Sequence, residues 1–145
     1  MKSFFPKILL FAILAITALS GCSDQKEIEI QNAWARPALK GGNSAVYFQI
    51  KNTTKADDLL KNAACSTAGN TEIHKSIMDE NGVMMMKPQE SVEIPANATI
   101  AFEPGGLHIM LINLNQDLQV GDNLEVSLTF DKAGVITIIA PVKQP

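Results

Sequence analysis

Both histidines of this chain, and every methionine after the first residue, fall in one segment from His74 to Met110. The methionines are Met78, Met84, Met85, Met86 and Met110, whereas apolar positions elsewhere are Ile, Leu, Val, Ala and Phe. Methionine is therefore not the default core filler here. Two imidazoles with one or two thioethers, and no cysteine or carboxylate in the same pattern, make a soft, neutral ligand set. Thioether sulfur favours Cu(I), and imidazole accepts several metals. Zinc sites use histidine, cysteine or carboxylate, so methionine argues against zinc. A blue-copper centre needs a thiolate between its histidines, and Cys65 precedes both of them. The chemistry that fits is holding and releasing Cu(I) rather than cycling electrons.

Extended strands must present these side chains. In "GGLHIMLINL" His108 and Met110 are two residues apart, and on a strand they share a face. Leu107, Ile109 and Leu111 then form the apolar stripe on the other face. Alternatively, Met110 belongs to the core and His108 is a satisfied surface residue. The second stretch, "HKSIMDENGVMMMKP", reads as a hairpin about Asn81-Gly82, and two registers are open. A two-residue type I′ turn sets Met78 opposite Met85 and gives His74 the face of Met85. A three-residue loop, Glu80-Asn81-Gly82, sets Asp79 opposite Val83 and Met78 opposite Met84, which gives His74 the face of Met86. One residue of slip exchanges which sulfur is available.

The rest of the chain supplies short strands between turn residues. "KEIEIQNAWARP" places Ile28 and Ile30 on one face, and "NSAVYFQIKN" is rich in strand formers. "NLEVSLTF" alternates through Leu124, Val126, Leu128 and Phe130, and "DKAG" turns it into "VITIIAPV". This spacing predicts an all-β sandwich or barrel. "KADDLLKNA" is long enough for one helical turn, and no longer helical periodicity follows the first twenty residues.

The N-terminal stretch "MKSFFPKILLFAILAITALSGC" has the layout of an export signal: Lys2 and Lys7, an apolar run, then Leu-Ser-Gly-Cys. The run is short for a membrane span, and its ending is similar to a bacterial lipoprotein processing site. The expected organisation is a signal over 1–21, a tether over 22–27 lipidated on Cys22, and one domain over 28–145. About 124 residues remain after cleavage, enough for one core and too few for two. Removing two lysines and no acid makes the mature part more acidic than the formal −3 of the whole chain. With no basic stripe, nucleic acid is not an expected partner. Cys65 is then the single free thiol, read as a packed residue and not a nucleophile. No Ser-His-Asp pattern, paired-carboxylate motif or phosphate loop points to an enzyme.

Taken together, "HKSIMDENGVMMMKP…EIPANATIAFEPGGLHIM" resembles the PCuAC family of periplasmic copper(I) chaperones. The family motif is His, one position often Met, ten residues, Met, twenty-one residues, and His-x-Met. His74, Met86, His108 and Met110 fall on it, and the resemblance extends through "NAWARP", "AVYFQIKN" and "LEVSLTFDKAG". It implies a cupredoxin-like Greek-key β-sandwich or barrel and one Cu(I) per domain, held by those four residues. It also implies delivery toward cytochrome c oxidase, to an oxidase subunit or an assembly factor. The expected protein is a monomer on the periplasmic side of a bacterial membrane, anchored through the lipid on Cys22. A structural or protein-binding envelope lipoprotein is the alternative. The resemblance selects the three-residue turn. Met84 becomes a reserve sulfur and auxiliary ligand on the copper face, and Met85 points into the core. Lys75 stands where many members carry methionine, and "APVKQP" lacks the His/Met-rich tail that some members use for Cu(II).

Overall fold

Clean alternation in "NLEVSLTF" becomes strand β9 (Asn123–Phe130), in which Leu124, Val126, Leu128 and Phe130 are all buried. The computed structural model describes residues 27–144. The signal segment, Cys22 and nearly all of the tether therefore lie outside the described residues. The strands are β1 (Ile28–Ala35), β2 (Ser44–Asn52), β3 (Asp58–Ala64), β4 (Ala68–Met78) and β5 (Met84–Pro88). There follow β6 (Val92–Ile94), β7 (Thr99–Phe102), β8 (Leu107–Leu114), β9 and β10 (Val135–Pro141). Among the described residues there is no helix.

Two sheets face each other. One has six strands in the order β1-β2-β7-β8-β4-β5, with the first part of β2 also paired to β8; the other has four, β10-β9-β3-β6. Their facing sides supply the core: Val46, Phe48 and Ile50 from β2, Ile109 and Leu111 from β8, and the inward set of β9. Phe48 and Phe102 stack at 4.6 Å between ring centroids. The all-β sandwich expected from the spacing is the fold observed.

The stretch "KADDLLKNA" is not helical. It forms β3, paired to β9 on one side and β6 on the other. Leu60 and Ala63 are buried, with a register shift after Leu60 that brings both to the core. Three residues apart is a helical spacing, and a bulge in a strand reproduces it. Pairing on both edges then overrides the weak local propensity. Just before this strand, Asn52 is buried and donates to the carbonyls of Ala56 and Ile94, while its oxygen accepts from the Thr54 amide and hydroxyl.

Strand β4 is longer than the sheet that supports it. It pairs with β8 from Ala68 to Lys75, and the Ser76 amide still donates to the Gly106 carbonyl, but Ile77 and Met78 have only β5 beside them. The hairpin therefore ends in a two-stranded ribbon that projects past the sandwich. All five residues of β5 are exposed, and β5 is the edge of its sheet.

Candidate metal centre

The turn of the hairpin decides which methionine faces His74. Asp79 N–H donates to the Val83 carbonyl at 2.9 Å, and Gly82 N–H donates to the Asp79 carbonyl at 3.0 Å. The Asp79 carboxylate accepts from the Asn81 and Val83 amides at 2.9 and 2.8 Å. Gly82 has φ +79°, the left-handed conformation that closes a three-residue loop and that only glycine adopts without strain. Met78 consequently pairs with Met84, Ile77 with Met85 and Ser76 with Met86.

On the outer face of the six-stranded sheet this produces successive rows. His74 lies directly opposite His108, and in the next row Glu72 lies opposite Met110. On the other side of the histidine row come Ser76 with Met86, then Met78 with Met84. Met86 thus shares the face of His74, one row toward the turn. Met85 lies on the opposite face, as the register requires, but it is not in the core: it is 47% exposed. The four-stranded sheet covers Ile73, which is buried, and the ribbon carries Met85 beyond it. The expectation of a core methionine fails because the sandwich ends before the strand does.

The outer face of such a sheet is ordinarily solvated, yet His74 and His108 are only 8% and 3% exposed. Their rings are 5.8 Å apart between centroids, tilted by 58°. Each has one nitrogen engaged. Nε2 of His74 is 2.7 Å from a carboxylate oxygen of Glu72. Nδ1 of His108 is 3.1 Å from the carbonyl of Gly106. Carboxylate and carbonyl oxygens accept, so in the neutral rings these nitrogens carry the hydrogens and the other two present lone pairs. Those two, Nδ1 of His74 and Nε2 of His108, are the buried side-chain nitrogen or oxygen atoms without a partner among the described residues. Buried polar atoms are almost always satisfied, and an orphaned imidazole lone pair fits a metal ion. The engaged nitrogens match the usual outer support of metal-binding histidines, which fixes tautomer and ring orientation.

His108 is pushed below the ordinary imidazole value of 6.5, chiefly by burial, which outweighs the opposing hydrogen bond to the Gly106 carbonyl, with the nearby His74 ring adding least. Its lone pair is therefore kept free at neutral pH. Among the described residues no three His, Cys, Asp or Glu side chains form a metal-holding group. The donors left for the histidine pair are thioethers. Met86, His108 and Met110 together line a cleft of about 250 Å³, walled by Tyr47 and by Arg36 and Pro37. Cys65 is elsewhere: it is buried, and its sulfur lies 3.1 Å from the Thr67 hydroxyl.

Two contributors escaped the sequence reading. Glu72 sits two residues before His74 in "TEIH", on the same face, and that i, i+2 spacing was the available signal. Tyr47, in "AVYFQIKN", is buried on the outer face between Trp34, at 4.7 Å between ring centroids, and His108, at 6.3 Å. Nothing in an alternating strand distinguishes it in advance. If Glu72 orients His74, Glu72→Ala lowers Cu(I) affinity by about 10- to 100-fold, with Glu72→Gln recovering part of the loss. Competition against a Cu(I) chelator reads this directly, and equal affinity in all three proteins would remove Glu72 from the site.

The cupredoxin-like sandwich has the fold of solved PCuAC domains. The copper-bound PCuAC domain from PmoF2 has the same fold, with a TM-score of 0.68 at 25% identity over 82% of this chain and 94% of that one. The chain belongs to the family described as "Putative lipoprotein LpqE-like", whose model matches residues 28–142. Its relatives include "Putative lipoprotein Lxx21020" of Leifsonia xyli subsp. xyli, 28% identical over 80% of this chain and 69% of that protein. A second is "Uncharacterized protein RP573" of Rickettsia prowazekii, 36% identical over 68% of this chain. The matched region spans 56% of the Rickettsia protein's length.

Proposed function

We infer that the protein is a copper(I)-binding metallochaperone of the bacterial cell envelope, anchored by lipid on Cys22. It takes one Cu(I) with His74, Met86, His108 and Met110 and passes it on toward the copper sites of cytochrome c oxidase. The observation that carries this reading is the pair of orphaned, buried imidazole nitrogens on facing histidines, each ring held through its other nitrogen. Thioethers on both flanking rows make the set soft and neutral, suited to Cu(I). The family's lipoprotein description and the copper-bound state of a structural neighbour support the same reading.

The work of the site is ligand exchange, not catalysis. The histidine pair is fixed in the sheet, whereas Met86 stands on an exposed strand that an acceptor can reach. An acceptor's thiols or imidazoles replace the donors one at a time, and no electron or substrate bond changes. Titrating the protein with Cu(I) against a competing chelator tests this. One tightly held copper per chain is expected; absence of tight binding would return the protein to a structural envelope role. Because protons compete for the imidazole lone pairs, copper affinity is expected to fall on acidification. Because burial holds the His108 value below the ordinary imidazole value of 6.5, its share persists through 6.5 and is lost only at more acidic pH. The same titration between neutral and clearly acidic pH checks the sign, and an unchanged affinity would count against histidine ligation.

A further inference from the structure

Three methionine sulfurs remain that the four-residue site does not use and that core packing does not explain; Met85 stands opposite Ile77 on the other face, whereas the remaining two share a row. Met78 is 67% exposed and Met84 is 54% exposed, and they lie directly opposite each other at the end of the ribbon. Directly paired residues hold their Cβ atoms about 5 Å apart, close enough for two flexible thioethers to reach one ion. They stand one row beyond Met86, on the same face, a step of roughly 7 Å along the strand. The cross-strand partner of Met86 is Ser76, a small residue that adds no bulky group beside that row. No charged residue lies on this face of the ribbon between the two rows; Lys75 and Lys87, paired with each other, belong to the opposite face. Exposed apolar side chains are a liability at a sheet edge. Leucine would carry the same cost without the sulfur, and lysine would avoid it.

We propose that Met78 and Met84 form a second, weaker soft-cation site that receives Cu(I) first and relays it to Met86. The proposal rests on the metallochaperone reading for its destination, but not for the binding of the ion to the pair itself. The relay is a ligand exchange between neutral donors. A bond from Cu(I) to the Met86 sulfur forms as a bond to Met78 or Met84 breaks, and no proton or electron moves. Two sulfurs bind less tightly than a site completed by imidazoles, so the gradient runs inward. An ion already held one row away is delivered intramolecularly, at an effective concentration on the order of millimolar.

The test uses the full-length protein with methyl-labelled methionine, titrated with Ag(I) as a soft, redox-inert probe. The first equivalent is expected to move the Met86 and Met110 methyl resonances, and the second those of Met78 and Met84 together. In Met78→Leu/Met84→Leu the second event disappears and the first is unchanged. Loading from a Cu(I)–chelator complex slows by roughly tenfold while the final affinity stays the same. Both substitutions are at exposed positions and preserve apolar bulk, and the Met110 methyl reports that the fold is intact. If Met78 and Met84 stay unmoved at two equivalents, there is no second site. If they move but loading is not slowed in the double variant, the pair binds without relaying and the proposal fails. If they move while Met86 and Met110 do not, the thioether site stands and the four-residue copper site is the part that is wrong.

Discussion

His108→Ala is expected to lower Cu(I) affinity by more than about a hundredfold, beyond the 10- to 100-fold range of losses typical when only an outer-shell partner is removed. His108 combines three features that no other residue of the cleft shares. It is nearly fully buried, its Nδ1 is committed to a backbone carbonyl, and its Nε2 is buried without a partner. Alanine removes the lone pair and leaves no donor to replace it. The substitution deletes one hydrogen bond to Gly106, but it also deletes a buried unsatisfied nitrogen, which offsets part of the cost to the apo fold. The variant should therefore fold, and circular dichroism of the apo protein checks that. Two methionine variants sharpen the result. Met86→Ala should weaken binding, whereas Met85→Ala should leave it unaltered, since Met85 stands on the other face. Equal losses at Met85 and Met86 would mean that the register does not govern the site.

Phe48→Ala is expected to cost about 3–5 kcal/mol of folding free energy, the usual range for deleting a buried aromatic side chain. A domain has only about 5–15 kcal/mol in total, so the thermal midpoint should drop steeply. Phe48 sits on β2, stacked on Phe102 of β7, with the four-stranded sheet across the core. Its neighbour in sequence, Tyr47, points the other way and packs against His108. Strand β2 thus carries the core on one side and the floor of the cleft on the other. Thermal unfolding followed by circular dichroism measures the loss. A midpoint within a few degrees of the parent would show that the stacked pair is not central to the core.

Where local pattern and tertiary demand agree, the sequence was readable. Strand β9 alternates because one face is buried and the other is wet, and β8 declares its inward stripe in the same way. The shared face of His108 and Met110 follows from a two-residue period alone. The hairpin register did not follow from periodicity, because three consecutive methionines are compatible with either slip. It was settled in the structure by Asp79, whose carboxylate collects two amides of the loop, and by the left-handed Gly82. Strand β3 was hidden because its bulge gives Leu60 and Ala63 a helical spacing. Met85 was misplaced because sequence shows which face a residue takes but not where the opposing sheet stops. Glu72 escaped notice because its role depends on a ring nitrogen two residues away, and composition carries no record of that.

The projecting ribbon sets an order of events for any ion held between it and the sheet. Strand β8 lies inside its sheet, and displacing His108 would mean opening the core behind it. Strand β5 is bonded on one side only, so Met86 can swing away at the cost of a few ribbon hydrogen bonds. Dissociation of such an ion would begin with Met86 and end with the donors fixed in the sheet. His74, His108 and Met110 would still hold the ion with one side open, which would let an incoming donor bind before the outgoing ones have all let go. Cu(I) would thus change hands without ever being free in solution.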